Sequence, residues 1–171
     1  MTTVLTKNDI QGLLKQKPPL IEGFINLYEQ LQPNGIDLTL HEIALFQSPG
    51  KVTASNSQRV VSSLSLLVFD GLGFIQLAPG IYSITYNEVI NLPQNIMALA
   101  TPRSSLLRCG VTVHTAVWDA GYSGRSQSLL VVYHPQGFQL QRNARIIQLV
   151  FFRLTDQTQG YQGIYQKENI D

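Results

Sequence analysis

The hydrophobic and polar positions follow a helical period at one place, close to the N-terminus. The apolar residues of one face recur there at i, i+3 and i+4: Ile10, Leu13 and Leu14. Asn8 or Asp9 can cap a helix at this point, because a short polar side chain accepts a bond from a free backbone N–H. Pro18 and Pro19 would stop it. The pattern predicts one short N-terminal helix.

The rest of the chain alternates short apolar runs with turn residues. Runs rich in Val, Ile, Leu, Thr and Tyr predict strands at residues 36–46, 59–69, 73–77, 80–85, 95–101, 111–116, 127–133, 137–141 and 145–152. Turn signals separate many of them, at residues 33–35, 49–50, 79–80, 120–121 and 135–137. Short strands at this spacing predict one mainly β domain, a barrel or a jelly-roll-like sandwich. The polar tail at 155–171 predicts a flexible arm, or an arm that orders on binding.

Composition narrows the class of protein. The 171 residues suffice for one domain with a sizeable core. With 12 Lys and Arg against 11 Asp and Glu, the net charge of +1 disfavours a nucleic-acid clamp or a polybasic membrane anchor. The single cysteine excludes an intrachain disulfide framework and a cysteine-built zinc site. No apolar run reaches the ~20 residues of a membrane span, so we expect no membrane partner. The net charge likewise leads us to expect no nucleic-acid partner. We expect the protein in a reducing cytoplasm.

The first stretch with candidate chemistry combines two arginines with two hydroxyl groups: Arg103, Ser104, Ser105 and Arg108. The rigid guanidinium fork matches phosphate oxygens, and serine adds short donors. If the segment forms a helical turn after the strand that ends near Thr101, its free N–H groups also point at the anion. The alternative is a capped turn with two solvated arginine side chains.

The second stretch, residues 115–124, predicts a strand, a tight turn and a return strand, that is, a hairpin. Asp119 stands just before the turn, and Tyr122 follows three residues later. Asp119 is the only carboxylate side chain between Glu88 and Asp156. If this region performs acid–base chemistry with a carboxylate, Asp119 is the candidate base. The alternative is an aspartate that only shapes its own turn.

Other polar residues are open to two interpretations. Gln148 interrupts an apolar strand, so it either bonds strand to strand or contacts a substrate. The tail contributes side chains that can fold over a ligand or belong to a frayed end: Tyr161, Tyr165 and Gln166. The histidines show no close metal-ligand spacing and are expected on the surface or bonded within strands: His41, His114 and His134.

Taken in order, several segments resemble the motifs of the dUTPase and dCTP deaminase superfamily. They are LTKNDI at 5–10, GIDLTL at 35–40, LAPG at 77–80 followed by LP at 92–93, RSSLLR at 103–108, DAGYSG at 119–124 and RIIQL at 145–149. The resemblance covers most of the chain. It implies a distorted jelly roll and a homotrimer with its active sites at subunit interfaces. It also implies a deoxynucleoside triphosphate substrate with Mg²⁺ that phosphates and water hold, rather than protein ligands.

The two branches of the superfamily differ in one proton carrier. The deaminases place a glutamate about ten residues after the hairpin aspartate, where it moves protons onto the pyrimidine. This chain has Leu129 there. Diphosphohydrolysis needs a water, a base, a metal and cations instead. The resemblance therefore implies a dUTP diphosphatase on a deaminase-like chain. The alternatives are a dCTP deaminase, a bifunctional enzyme that makes dUMP from dCTP, and a non-catalytic nucleotide-binding barrel.

The resemblance also implies roles for the candidate residues. Asp119 orients or deprotonates the water that attacks the α-phosphate, and Tyr122 packs against the deoxyribose. Main-chain groups between Thr115 and Val117 read the uracil edge. The residues expected to hold the phosphates are Arg103, Ser104, Ser105 and Arg108. Those expected to close over the triphosphate are Gln148, Tyr161, Tyr165 and Gln166.

Overall fold

Antiparallel strands dominate the computed structural model, which describes residues 3–170. The helices are α1 (Lys7–Leu13), α2 (Leu27–Gln30) and α3 (Ser104–Arg108), with a short 3-10 helix at Asn56–Gln58. The strands are β1 (Thr3–Val4), β2 (Ile21–Glu22), β3 (Leu31–Gln32), β4 (Gly35–Phe46), β5 (Leu64–Leu66), β6 (Phe74–Leu77), β7 (Gly80–Tyr86), β8 (Val89–Asn91), β9 (Ile96–Pro102), β10 (Val111–His114), β11 (Ser123–Gly124), β12 (Gln127–Val132), β13 (Phe138–Gln141) and β14 (Arg145–Arg153). The prediction of a mainly β chain is confirmed. In the part of the chain so described, no helix is long and apolar enough to cross a membrane.

Nine strands form the main sheet. Its path runs β1-β14-β4-β7-β12-β10, with β3 and β5 paired to β4, and β9 paired to β14. Two smaller sheets follow the orders β11-β8-β2 and β13-β6. The first six residues of β4 are all buried, so this strand is covered on both faces. A strand in that position must satisfy any polar side chain from inside the protein.

The N-terminal helix is confirmed, but its cap differs from the prediction. Thr6 caps α1: its hydroxyl accepts from the Asp9 N–H at 3.4 Å, and the Asp9 carboxylate accepts from the Thr6 N–H at 2.8 Å. This reciprocal pair is a capping box. Asp9 therefore acts from the third helical position rather than as the cap itself. Ile10 and Leu13 are buried and Leu14 packs against the core, as their spacing predicts.

The strand predicted at 59–69 is much shorter in the structure. Only Leu64–Leu66 forms a strand, against the end of β4, and Val60 makes a single bridge to Lys51. The flanking apolar residues face solvent, with Val60 50% and Val68 88% exposed. An apolar run forms a strand only where a neighbouring strand offers backbone N–H and C=O groups to pair with. Among the described strands, β5 pairs with β4 and with no other. The predicted strand at 111–116 likewise ends early, at His114.

A buried polar cluster joins β4 to the turn before β8. The carboxylate of Glu88, which is fully buried, accepts bonds from the Thr39 N–H at 2.9 Å, the Thr39 hydroxyl at 2.6 Å and the Gln30 amide at 2.7 Å. Burial raises the pKa of Glu88, and these bonds oppose the shift. The cluster connects α2, β4 and β8 through one side chain.

Replacing Glu88 with Gln should change how stability depends on pH. Because burial raises the folded-state pKa of Glu88, the folded protein binds this proton more tightly than the unfolded chain does. The contribution of Glu88 to the free energy of unfolding is therefore largest below its ordinary pKa and falls as pH rises through the raised value. We expect this falling component to vanish in Glu88→Gln, as measured by urea unfolding between about pH 4 and pH 8.

The matched control is Glu29→Gln, which changes an exposed carboxylate of α2, the helix whose Gln30 bonds to Glu88. It should leave the pH dependence of the unfolding free energy as it is in the unaltered protein. Parallel pH profiles for Glu88→Gln and Glu29→Gln would contradict the assignment of the effect to burial.

Candidate active site

The turn that carries Asp119 lies outside the main sheet. β10 and β12 pair directly with each other, and residues 115–126 leave the sheet between them. Within this excursion the Tyr122 N–H donates to the Asp119 carbonyl at 3.1 Å. Gly121 takes a φ of +83°, which favours glycine, so the predicted tight turn is confirmed.

The predicted hairpin across this turn is wrong. Trp118, before the turn, bridges to Ala98 in β9, whereas β11, after the turn, pairs with β8. The two flanks are joined by a side chain instead, because the Trp118 indole N–H donates to the Ser126 hydroxyl at 2.9 Å. Pairing across a turn is the usual outcome at short separation, but here distant strands supply the backbone partners.

A cavity of about 490 Å³ opens beside the turn. Predicted site residues that line it are Val117, Asp119, Tyr122, Tyr161 and Tyr165. Asp119 is exposed, so its carboxylate is accessible to water and to a ligand. Gln127 adds a carboxamide to the lining, while Thr115 stays outside it. The volume is in the range typical of small-molecule sites.

The C-terminal arm packs onto this turn. The Tyr161 N–H donates to the Ala120 carbonyl at 2.8 Å. The Gln166 side chain accepts from the Ser123 N–H and donates to the Gly121 carbonyl, both at 2.9 Å. The structure thus brings Tyr161 and Gln166 to the Asp119 turn, although only Tyr161 lines the cavity, and their contact with a triphosphate stays a prediction.

Two glycines allow the arm to approach so closely. A Cβ on Gly121 would lie 2.6 Å from the Gly160 Cα, so a side chain there would displace the arm. Gly160 itself has a φ of +78°. The flexibility predicted for residues 155–171 stays a prediction, and residue 171 lies outside the described residues.

Glu168 joins the site from the arm, and the sequence analysis missed it. The Tyr122 hydroxyl donates to Glu168 Oε1 at 2.8 Å. The rings of Tyr122 and Tyr161 meet edge to face, with centroids 5.7 Å apart and planes at 72°. Burial raises the pKa of Glu168, and the bond from Tyr122 opposes this. Burial and the Glu168 charge raise the pKa of the Tyr122 phenol, so its hydroxyl stays protonated and donates.

The predicted anion-binding segment lies elsewhere on the same chain. α3 follows β9 with Arg103 at its N-cap, which confirms the predicted helical turn. Ser104, Ser105 and Arg108 are exposed, and none of them is among the residues that line the cavity. One chain therefore does not join these side chains to Asp119 in a single cavity.

Arg103 is held by a buried carboxylate. Its Nε lies 3.1 Å from Asp37 Oδ2, and Arg145 Nη1 lies 3.5 Å from the same oxygen. Burial raises the pKa of Asp37, while the two guanidinium groups act in the opposite direction. Gln148 stands opposite Asp37 in the register of β14 and β4, away from the cavity. The substrate contacts of Arg103 and Gln148 stay predictions.

The donor set suits a metal that arrives with phosphates. Within residues 3–170, no three His, Cys, Asp or Glu side chains are grouped so that they could hold an ion. The carboxylates that line the cavity are Asp119 and Glu168, and Tyr122 already donates to Glu168. Asp119 is the candidate base, so the described side chains of the cavity offer no set of metal ligands. Mg²⁺, which keeps several waters, would be held mainly by substrate phosphates and water.

Residues 4–154 match the family described as dCTP deaminase-like. The chain belongs to the dCTP deaminase-like family.

Relatives with assigned names are similar over nearly their full length. A protein of Methanosarcina mazei, named probable deoxyuridine 5′-triphosphate nucleotidohydrolase, is 50% identical over 98% of this chain and 99% of its own. A protein of the same name from Archaeoglobus fulgidus is 47% identical over 98% of each chain.

A solved structure agrees with the family at the level of the fold. The crystal structure of 2′-deoxycytidine 5′-triphosphate deaminase from Agrobacterium tumefaciens superposes with a TM-score of 0.66 and 20% identity. It covers 89% of this chain and 48% of that one, so this chain spans about half the length of that deaminase.

Proposed function

We propose that this protein is a dUTP diphosphatase, which converts dUTP and water into dUMP and pyrophosphate. The observation that carries the proposal is the similarity, at about half identity and over the full length, to proteins named probable dUTP nucleotidohydrolases. The geometry is compatible with that chemistry, because an exposed carboxylate, Asp119, lines a cavity of nucleoside size.

In the proposed mechanism each cavity residue acts on one part of the nucleotide. The Asp119 carboxylate accepts a proton from the water that attacks the α-phosphate, or orients that water. The Tyr122 ring forms the wall against the deoxyribose and leaves no room for a 2′-hydroxyl. Backbone groups near Val117 face the cavity and can read the uracil edge, since the main chain offers both a donor and an acceptor. Mg²⁺, when bound, neutralises the phosphate charge.

The charge of the cavity supports a site shared between subunits. The described residues that line it include two carboxylates, Asp119 and Glu168, and neither Lys nor Arg. A triphosphate needs cationic partners at its phosphate end. The exposed Arg108 and the serines of α3 meet that need if a second copy brings them to the cavity, which is the reason to propose a homotrimer with interface sites. Arg103 belongs to the same segment. A cytoplasmic location stays a prediction.

The deaminase alternatives depend on a proton carrier near the pyrimidine. At the position of the deaminase glutamate, this chain has Leu129, in β12. A leucine side chain cannot carry a proton. Glu168 is a second carboxylate in the cavity, but its oxygen accepts from Tyr122. Whether dCTP is deaminated is measured in the same assay that tests dUTP hydrolysis.

The test of the function is a reaction with Mg²⁺ and dUTP, dCTP, dTTP or UTP in parallel. We expect pyrophosphate and dUMP from dUTP alone, which would show that the site rejects a cytosine base, a 5-methyl group and a ribose. Pyrophosphate release and chromatography of the nucleotides measure this. Deaminated product from dCTP would favour the deaminase branch. Binding of all four nucleotides without turnover would contradict catalysis.

Asp119→Asn should abolish most turnover while nucleotide binding persists. The amide has a similar shape but cannot accept the proton, so kcat should fall on the order of 10²–10⁴. Calorimetry with dUMP or a non-hydrolysable analogue checks that binding is retained. Asp156→Asn, on an exposed residue of the arm, is the matched control. Near-normal kcat in Asp119→Asn would remove Asp119 from the mechanism.

Mixed trimers should reveal whether sites are shared. Asp119→Asn and Arg108→Ala are each expected to be poorly active alone. If one chain supplies the base and another the phosphate contacts, unfolding and refolding the two variants together restores complete sites and part of the activity. Light scattering checks the trimer first. A stable monomer would contradict the shared-site proposal, and so would a verified mixed trimer that recovers no activity.

A further inference from the structure

The phenol of Tyr122 has a contact that the mechanism does not use. Tyr122 is 5% exposed, and its hydroxyl donates to Glu168. Gly124 makes room for this bond, because a Cβ there would lie 2.6 Å from the Tyr122 oxygen and 3.3 Å from the Glu168 Cγ. The bond therefore rests on local shape as well as on the two partners.

The backbone around Glu168 is anchored to the same excursion. The Arg125 N–H donates to the Glu168 carbonyl at 2.9 Å. The Asn169 side chain donates to the Arg125 carbonyl at 2.8 Å, and the Arg125 Nε donates to the Asn169 carbonyl at 3.2 Å. These bonds hold the Glu168 carboxylate in one place relative to the turn. An acceptor fixed in this way fixes the orientation of its donor.

We propose that Glu168 is a positioning residue that holds the Tyr122 ring as the wall of the deoxyribose pocket. Discrimination between deoxyribose and ribose then depends on the docked arm, and not on the turn alone. The inference rests on the proposed function, because it concerns the sugar of the nucleotide substrate. Glu168 itself touches Tyr122 and not the reacting atoms.

The physical reason lies in how a steric wall works. A ring excludes a 2′-hydroxyl only while it stays within a fraction of an ångström of one position, since a small tilt opens the space of one oxygen atom. Without its acceptor, the Tyr122 hydroxyl would lose the bond that fixes the tilt of the ring. Core residues and Tyr161, which meets the ring edge to face, pack against the ring, and the bond to Glu168 fixes the phenol end.

A carboxylate makes a stronger acceptor than a neutral group, which explains its presence in a cavity that receives an anion. A charged acceptor roughly doubles the strength of a hydrogen bond. The same charge repels the triphosphate. Glu168→Gln should therefore keep the bond in weaker form and lower the KM for dUTP, while Glu168→Ala should lose the bond altogether.

The test compares selectivity and not only rate. For the unaltered protein, Glu168→Gln and Glu168→Ala, kcat and KM are measured with dUTP and UTP. We expect Glu168→Ala to lower the ratio of kcat/KM for dUTP to kcat/KM for UTP about tenfold. The kcat/KM for UTP should rise, and the kcat/KM for dUTP should fall. Glu168→Gln should keep the ratio within about threefold. Asp156→Ala, on the same arm, should leave it unchanged.

Tyr122→Phe identifies the bond as the cause. If the hydroxyl acts through Glu168, Tyr122→Phe lowers the ratio as Glu168→Ala does, and the double variant lowers it no further. An unchanged ratio in Glu168→Ala would overturn the proposal. So would an equal loss in Glu168→Gln and Glu168→Ala, because a retained acceptor would then have rescued nothing.

Failure of the proposed function is distinguishable from failure of this inference. If the unaltered protein does not hydrolyse dUTP, the function fails, and calorimetric affinities for dUMP and UMP replace the kinetic ratio. Glu168→Ala should then narrow the preference for dUMP over UMP. If the unaltered protein is active and selective but Glu168→Ala keeps that selectivity, only the positioning role fails.

Discussion

The buried carboxylate of Asp37 is the constraint on which the arrangement of the other elements depends. It lies in β4, whose first six residues are buried on both faces, so its partners must come from inside the fold. Arg103, at the start of α3, and Arg145, at the start of β14, supply them. Both arginine side chains are about a third exposed, so the loss of one of them should cost less than breaking a fully buried pair. The cluster fixes where β9 gives way to α3, and so determines where Ser104 and Arg108 meet solvent.

The shape of the cavity depends on whether the C-terminal arm is docked on the turn. Tyr161, Gln166 and Glu168 all contact the turn at residues 120–125, by main-chain or side-chain bonds. The arm supplies part of the lining, so an opened arm would leave an incomplete cavity. A ligand that contacts both the turn and the arm binds more tightly when the arm is docked, and by linkage it stabilises the docked state to the same extent.

Sequence patterns predicted the features that depend on neighbouring residues, and they failed for features that depend on segments far apart in the chain. The strands at 127–133 and 145–152 match the structure within one residue at each end, because continuous apolar runs fit strands that have partners on both sides. The run at 59–69 has the same composition but mostly lacks a partner strand. Asp119 could be found because carboxylates are scarce around it. Glu168 could not, since only the fold brings the tail to a tyrosine 46 residues earlier.

The charges divide the proposed chemistry between chains. A cavity with two carboxylates repels a triphosphate, yet the nucleoside end of that substrate is neutral and suits it. The proposed cationic end of the recognition is α3, whose Arg108 and serines are exposed. In the proposed trimer, a neighbour's α3 would neutralise the phosphates and compensate the acidic cavity. On this proposal a single chain would recognise the nucleoside without hydrolysing it, because hydrolysis would need the surfaces of two chains, of opposite charge, around the substrate.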